Sequence, residues 1–233
     1  DVLTSRGLGD VYKRQFRDLS AKTKLLSVIE LIMIDLQSLS ELIEFRRTVK
    51  PIISIGESNF SERPIRKETI EQLLSNANWA PTHGLTEPWR FTVYQGDSLK
   101  DLAKVLRQAY TTHTSREEFR EAKREKMASY TECTRAAVVL GMKRHPGKIP
   151  AEEEVIAVAC AVQNLHLSAA AEGLGGFWST APVYDIPAVR AEFGFKGEED
   201  RCLGIFYLGY PKNDWPERKK GAPQPVKEKI IWR

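Results

Sequence analysis

The chain is poor in cysteine. Its 233 residues hold three, Cys133, Cys160 and Cys202, widely spaced and without a Cys-x-x-Cys pair. That speaks against zinc-site and thioredoxin-like readings, and an odd, sparse count suits a reducing cytoplasm. Neither sign of charge dominates: 35 Lys and Arg stand against 31 Asp and Glu, for a net +4. The charges are interspersed, so no dedicated nucleic-acid surface is expected, although a small anionic ligand stays open. No apolar run reaches the roughly 18 residues of a membrane span, and no signal peptide is visible. Repeats, low-complexity segments, Ser/His/Asp sets and paired carboxylates are also missing, which removes a hydrolytic reading. Gly173-Leu-Gly-Gly lacks the Gly-Lys-Ser/Thr ending of a P-loop and does not follow a strand as a dinucleotide fingerprint would.

What is present reads as a folded core. A hydrophobic fraction of 42% supports one large domain or two small ones. Residues 1–32 are polar at the start and read as an extension upstream of the functional domain, with 33–233 as the domain and an arm from about 211. A helix is expected over 24–45, a loop over 51–64, and an amphipathic helix over 67–80 with apolar residues at Ile70, Leu73, Leu74 and Ala77. Strands are expected at Phe91–Gln95, Ala136–Met142 and Arg201–Tyr210. Ser98 with Asp101, and Ser115 with Glu118, resemble capping boxes. Ala151 to Glu172 is apolar almost all round and must be buried in the core or at a subunit interface. Within it, Gln163, Asn164 and His166 need partners, with a structural role favoured for His166. Strands separated by helices give one α/β or α+β domain.

Two stretches invite a ligand. Arg46-Arg47-Thr48 stands at a helix-to-loop junction. It reads either as an oxyanion site, with guanidinium forks and a hydroxyl, or as ordinary cations at a helix end. Ala80 to Phe91, Ala-Pro-Thr-His-Gly-Leu-Thr-Glu-Pro-Trp-Arg-Phe, is bracketed by prolines that stop both helix and ladder. It reads either as a ligand wall presenting His83 or as a packed connector with a structural Trp89. His145 reads as an exposed loop residue. Asp185 reads as the cap of a short helix. The basic run Arg218-Lys219-Lys220 precedes an apolar end, Ile230-Ile231-Trp232, suited to docking on another subunit.

Four features in order resemble the nitroreductase family: Arg46-Arg47-Thr48; Ala80-Pro-Thr-His with Glu87-Pro-Trp-Arg-Phe; Gly173-Leu-Gly-Gly-Phe-Trp; and Leu203-Gly-Ile-Phe-Tyr-Leu-Gly-Tyr-Pro. The resemblance covers roughly residues 33–233. It implies an α+β fold, a three-layer sandwich with a central, mostly antiparallel sheet flanked by helices. It also implies an intertwined homodimer with FMN at the interface. By the same resemblance Arg46, Arg47 and Thr48 hold the FMN phosphate and ribityl chain, and His83 contacts FMN from the partner. Trp178, Ser179 and Thr180 lie beside the flavin, Gly175 and Gly176 allow close approach, and Arg218, Lys219 or Lys220 meet the phosphate. Leu85 and Glu87 depart from the Asn and Gln common in relatives.

The implied activity is ping-pong transfer of hydride from NADH or NADPH, through FMN, to a nitroarene, quinone or similar small-molecule acceptor. No catalytic side chain, metal, nucleic acid or membrane is expected, and the expected location is the cytoplasm. The alternatives are a flavin protein of the same fold with other chemistry, such as dehalogenation or flavin fragmentation, or a flavin binder with little turnover.

Overall fold

The computed structural model describes residues 35–215 and 223–233. By contact the chain divides into two units, Asp1–Glu44 and Phe45–Arg233. Helix α1 (Leu36–Phe45) begins in the first. Asp35 caps it: its carboxylate accepts from the Ser38 backbone N–H at 2.9 Å and the Ser38 hydroxyl at 2.7 Å. The upstream extension expected over 1–32 lies outside the described residues.

The second unit is built on a four-stranded antiparallel sheet. Its strands are β3 (Trp89–Gln95), β4 (Ala136–Met142), β5 (Gly175–Ser179) and β6 (Arg201–Gly209), in the spatial order β3-β4-β6-β5. Every residue of β4 is buried, because a central strand covered on both faces needs no polar side. Alternate residues face opposite cores. Ala137, Val139, Ile205 and Tyr207 point to one face, against helices α3 (Ser98–His113), α4 (Glu121–Glu132) and α6 (Pro187–Glu192). Val138, Leu140, Phe206 and Leu208 point to the other, against α2 (Lys67–Ala77) and α5 (Ala151–Ala171). The result is the expected three-layer α+β sandwich.

At 21 residues α5 is long and apolar enough to cross a bilayer on length and composition alone, a match that counting apolar runs overlooks. Its Ala157, Val158, Ala161, Val162 and Leu165 instead pack into the second core, so it is a core helix.

Three local expectations change. The 51–64 loop contains a hairpin, β1 (Ile52–Ser54) with β2 (Glu57–Ser58), turned at Gly56 with φ 82° and tied down by Gly56 N–H donating to Ser129 Oγ at 2.8 Å. The glycine-rich segment is not a turn throughout: Gly175–Ser179 is the edge strand β5. The helix expected from Ser115 starts at Glu121; Ser115 instead heads a separate turn, its backbone carbonyl accepting from Glu118 and Phe119 N–H at 3.2 and 2.9 Å and its hydroxyl from Glu118 N–H at 3.3 Å.

Candidate functional site

After α1 the chain runs along the free edge of β5. Thr48 forms a parallel bridge with Gly176, and Val49 N–H donates to the Gly176 carbonyl at 3.0 Å. Gly175 permits this approach, since a Cβ there would lie 2.7 Å from Cβ of Val49 and 2.9 Å from the Phe60 ring. A Cβ at Gly176 would meet the Phe206 ring at 2.6 Å. Protein atoms therefore fill the space beside both glycines, which makes them packing positions. At Gly175 the close neighbours are Val49 and Phe60, and at Gly176 they are the Phe206 and His166 rings.

His166 on α5 fastens the same segment. Its Nε2 lies 3.1 Å from the Arg47 carbonyl oxygen; a carbonyl only accepts, so Nε2 carries the proton. Burial first, and the neighbouring Arg46 charge second, push His166 down to about 4, so it is neutral at pH 7. The structural role expected for His166 is what the geometry gives. Arg47 folds its guanidinium back to the carbonyls of Arg46 at 2.9 Å and Phe45 at 3.3 Å. Phe45 is stacked on Trp215, with ring centroids 4.7 Å apart.

Farther along β5, the Trp178 indole N–H donates to the Leu203 carbonyl at 2.9 Å. Trp178 and Ser179 are half-buried and Thr180 is exposed. The fold thus ties Thr48 and Val49 to Gly176, in the strand that carries Trp178 and Ser179, across about 130 residues of chain. Arg218, Lys219 and Lys220 lie outside the described residues.

His83 is placed elsewhere. It opens a short 3-10 turn, His83–Leu85, with left-handed backbone at Gly84 (φ 60°), Leu85 (φ 51°) and then Glu87 (φ 42°). Non-glycine residues are strained there. The turn is held from several sides. His83 Nδ1 meets Glu153 Oε2 at 2.5 Å, Arg90 donates to the Glu87 carbonyl at 2.8 Å, and Thr82 and Thr86 hydroxyls are 3.2 Å apart. Trp89 is the expected anchor, 4% exposed, with its indole N–H on Asn78 Oδ1 at 2.8 Å. Glu153 and His166 sit thirteen residues apart on α5, which is about 20 Å along a helix. His83 and Arg47 therefore occupy opposite ends of α5 within one chain. Glu153 lies in the acidic first turn of α5, and its pairing with His83 is non-local.

Two other side chains depart from expectation. His145 is half-buried, its Nδ1 2.7 Å from Glu154 Oε1, while Arg144 donates to Glu154 Oε2 at 2.6 Å. Glu154 is fully buried. Burial pushes its carboxyl up, but hydrogen bonds from His145 and Arg144 more than reverse this, leaving it below the usual range. Asp185 makes no cap; its carboxylate accepts from Cys202 N–H at 2.7 Å and from Arg201 Nε.

A profile of the Nitroreductase family matches residues 43–210. The chain belongs to the nitroreductase family. It is 28% identical over 155 residues to YdjA of Escherichia coli K12, provisionally named an NAD(P)H nitroreductase, covering 66% of this chain and 82% of that protein. It is likewise 28% identical over 193 residues to 5,6-dimethylbenzimidazole synthase of Rhodospirillum rubrum, covering 76% of this chain and 84% of that protein. Among solved structures, a nitroreductase-like family protein from Bacillus cereus superposes with a TM-score of 0.69 at 29% identity, covering 86% of this chain and 98% of that one.

Proposed function

We propose that this chain is an FMN-dependent oxidoreductase that uses NADH or NADPH to reduce nitroaromatic, quinone or similar electron-poor acceptors. One observation carries the reading: the segment that follows Arg46 and Arg47 is tied at Thr48 and Val49 to Gly176 of β5, the strand that runs on into Trp178 and Ser179. The donor set fits the cofactor. Two guanidiniums and a hydroxyl suit a dianionic phosphate, and the neighbouring indole with two hydroxyls suits a planar, polar-edged ring. The names of relatives such as YdjA support the nicotinamide donor.

Bound FMN would supply two-electron chemistry, taking hydride from a nicotinamide and giving it to the acceptor in ping-pong turnover. The chain's own residues do the rest. Arg46, Arg47 and Thr48 bind the phosphate end, and His166 fixes their backbone. Gly175 and Gly176 bring that segment onto β5. Trp178, Ser179 and Thr180 orient the ring and limit water. Basic residues at 218–220 would add charge to the phosphate.

The protein acts as a homodimer. The roughly 20 Å between the Glu153 and His166 ends of α5 supports His83 serving the partner's FMN. The arm offers apolar side chains for docking, with Ile231 and Trp232 83% and 89% exposed. The functional domain is taken as 33–233 with that arm, and deleting 1–32 should leave folding intact. Three free thiols suit a cytoplasmic setting.

A second reading is other flavin chemistry on the same fold, favoured by the dimethylbenzimidazole synthase relative. Anaerobic titration of FMN-loaded protein with NADH and NADPH tests the main reading. Bleaching of the flavin bands followed by acceptor-dependent recovery is expected; protein that takes up no FMN would end it.

A further inference from the structure

Past the end of β5 a groove of about 650 Å³ opens between the 3-10 turn Pro182–Asp185 and the start of β6. Thr180 lines it, so it adjoins the segment assigned to the flavin ring. Its walls are largely apolar, with Pro182, Ile186, Pro187 and Leu203. Its charged members are Asp185 and Arg201.

Charge and geometry at that pair point one way. Asp185 receives Arg201 Nε on one oxygen and Cys202 N–H on the other, at 2.7 Å for the latter, with Arg190 Nη1 3.7 Å away. Arg190 is buried and already donates to the Glu198 carbonyl at 2.6 Å. One carboxylate thus serves two guanidiniums, and a positive charge is left over. That charge is accessible at Arg201, whose side chain is 49% exposed. Its two terminal nitrogens make no hydrogen bond among the described residues. Anchoring through Nε fixes the guanidinium plane and leaves the terminal N–H fork to pair two oxygens side by side.

We propose that this groove binds the carboxylate of a planar aromatic acceptor, with Arg201 as the binding fork, Asp185 as its positioning residue and the ring lying toward Thr180. The proposal rests on the flavin reading for the direction of the ring, and it narrows the acceptor class to aromatic acids. Neutral nitroarenes lack the group that pairs with Arg201.

The test is calorimetric titration of the protein, without nicotinamide, using benzoate and its neutral analogue benzamide. Benzoate should bind more tightly than benzamide. Arg201→Gln should weaken benzoate about tenfold, as expected for one lost charge-assisted bond, and bring it level with benzamide. Arg201→Lys, which keeps the charge but loses the fork and the Asp185 anchor, should fall between. With FMN loaded, the kcat/KM preference for 4-nitrobenzoate over nitrobenzene should drop by a similar factor in Arg201→Gln. Equal binding of benzoate and benzamide, or no effect of either variant, would overturn the proposal. So would a raised KM confined to NADPH, which would give Arg201 to a nucleotide phosphate. The benzoate titration reads out even in protein that takes up no FMN, so failure of the flavin reading is seen separately.

Discussion

His166 donates its Nε2 proton to the carbonyl oxygen of Arg47 across 3.1 Å. This single bond joins the core helix to the segment proposed to hold FMN phosphate. A buried imidazole that is neutral and donates through Nε2 can do this; a charged one would sit beside Arg46.

Stability should therefore fall on mild acidification. The folded His166 titrates at about 4, against 6.5 for an ordinary histidine. Between those values the unfolded chain binds more protons, so acid favours unfolding. The contribution is fully present above about pH 6.5 and is lost as pH falls toward 4. Its size is about 3 kcal/mol from the shift. Urea unfolding at pH 7 and pH 4.5 should show a larger loss in the natural protein than in His166→Asn, which has no group titrating in that window.

Gly175→Ala should act at a distance from any ligand. The new methyl would lie 2.7 Å from Cβ of Val49, so the 46–49 segment must move outward. Overpacking of this kind costs about 1–3 kcal/mol. Thermal melts should show that loss, and FMN titration followed by fluorescence quenching should show weaker binding in the same variant.

Glu154→Ala should be among the most damaging changes outside the site. It leaves Arg144 and His145 facing a buried space without their carboxylate. Breaking such a pair from one side costs about 3–5 kcal/mol. Because the Glu154 carboxyl titrates below its usual range, its contribution is present above the unfolded carboxylate pKa and disappears as pH falls through the folded one. The gap in urea stability between variant and natural protein should therefore narrow at low pH.

Individual elements were legible where the pattern was local, while the three-layer sandwich came from the family resemblance. β4 is one continuous apolar run, and α2 repeats apolar residues at helical spacing, so neither needed partners to be read. β5 was not, because Gly175 and Gly176 remove the alternation that marks a strand, and its identity depends on pairing with β6. Glu152, Glu153 and Glu154 open α5 as a run of three identical residues that sequence alone does not distinguish. Structure separates them: Glu153 pairs with His83 seventy residues away, and Glu154 is buried under Arg144 and His145. Arg46–Thr48 and Trp178–Thr180 were each nameable, but only the fold ties Thr48 and Val49 to Gly176 of the strand that carries Trp178.

Replacing Arg46 and Arg47 together with Ala should weaken FMN retention by at least about a hundredfold, at roughly a factor of ten for each charge-assisted contact. Equilibrium dialysis against FMN reads this directly. Unchanged affinity would remove both residues from the phosphate.

The most direct test mixes two defective chains, one carrying Arg46→Ala and Arg47→Ala, the other His83→Ala, and counts FMN bound by the purified mixed dimer. If each FMN is held by the arginines of one chain and His83 of its partner, one site carries every lesion and the other carries none. One FMN per mixed dimer at the affinity of the natural protein is the result this account predicts. A mixed dimer that binds no better than its parents would contradict it.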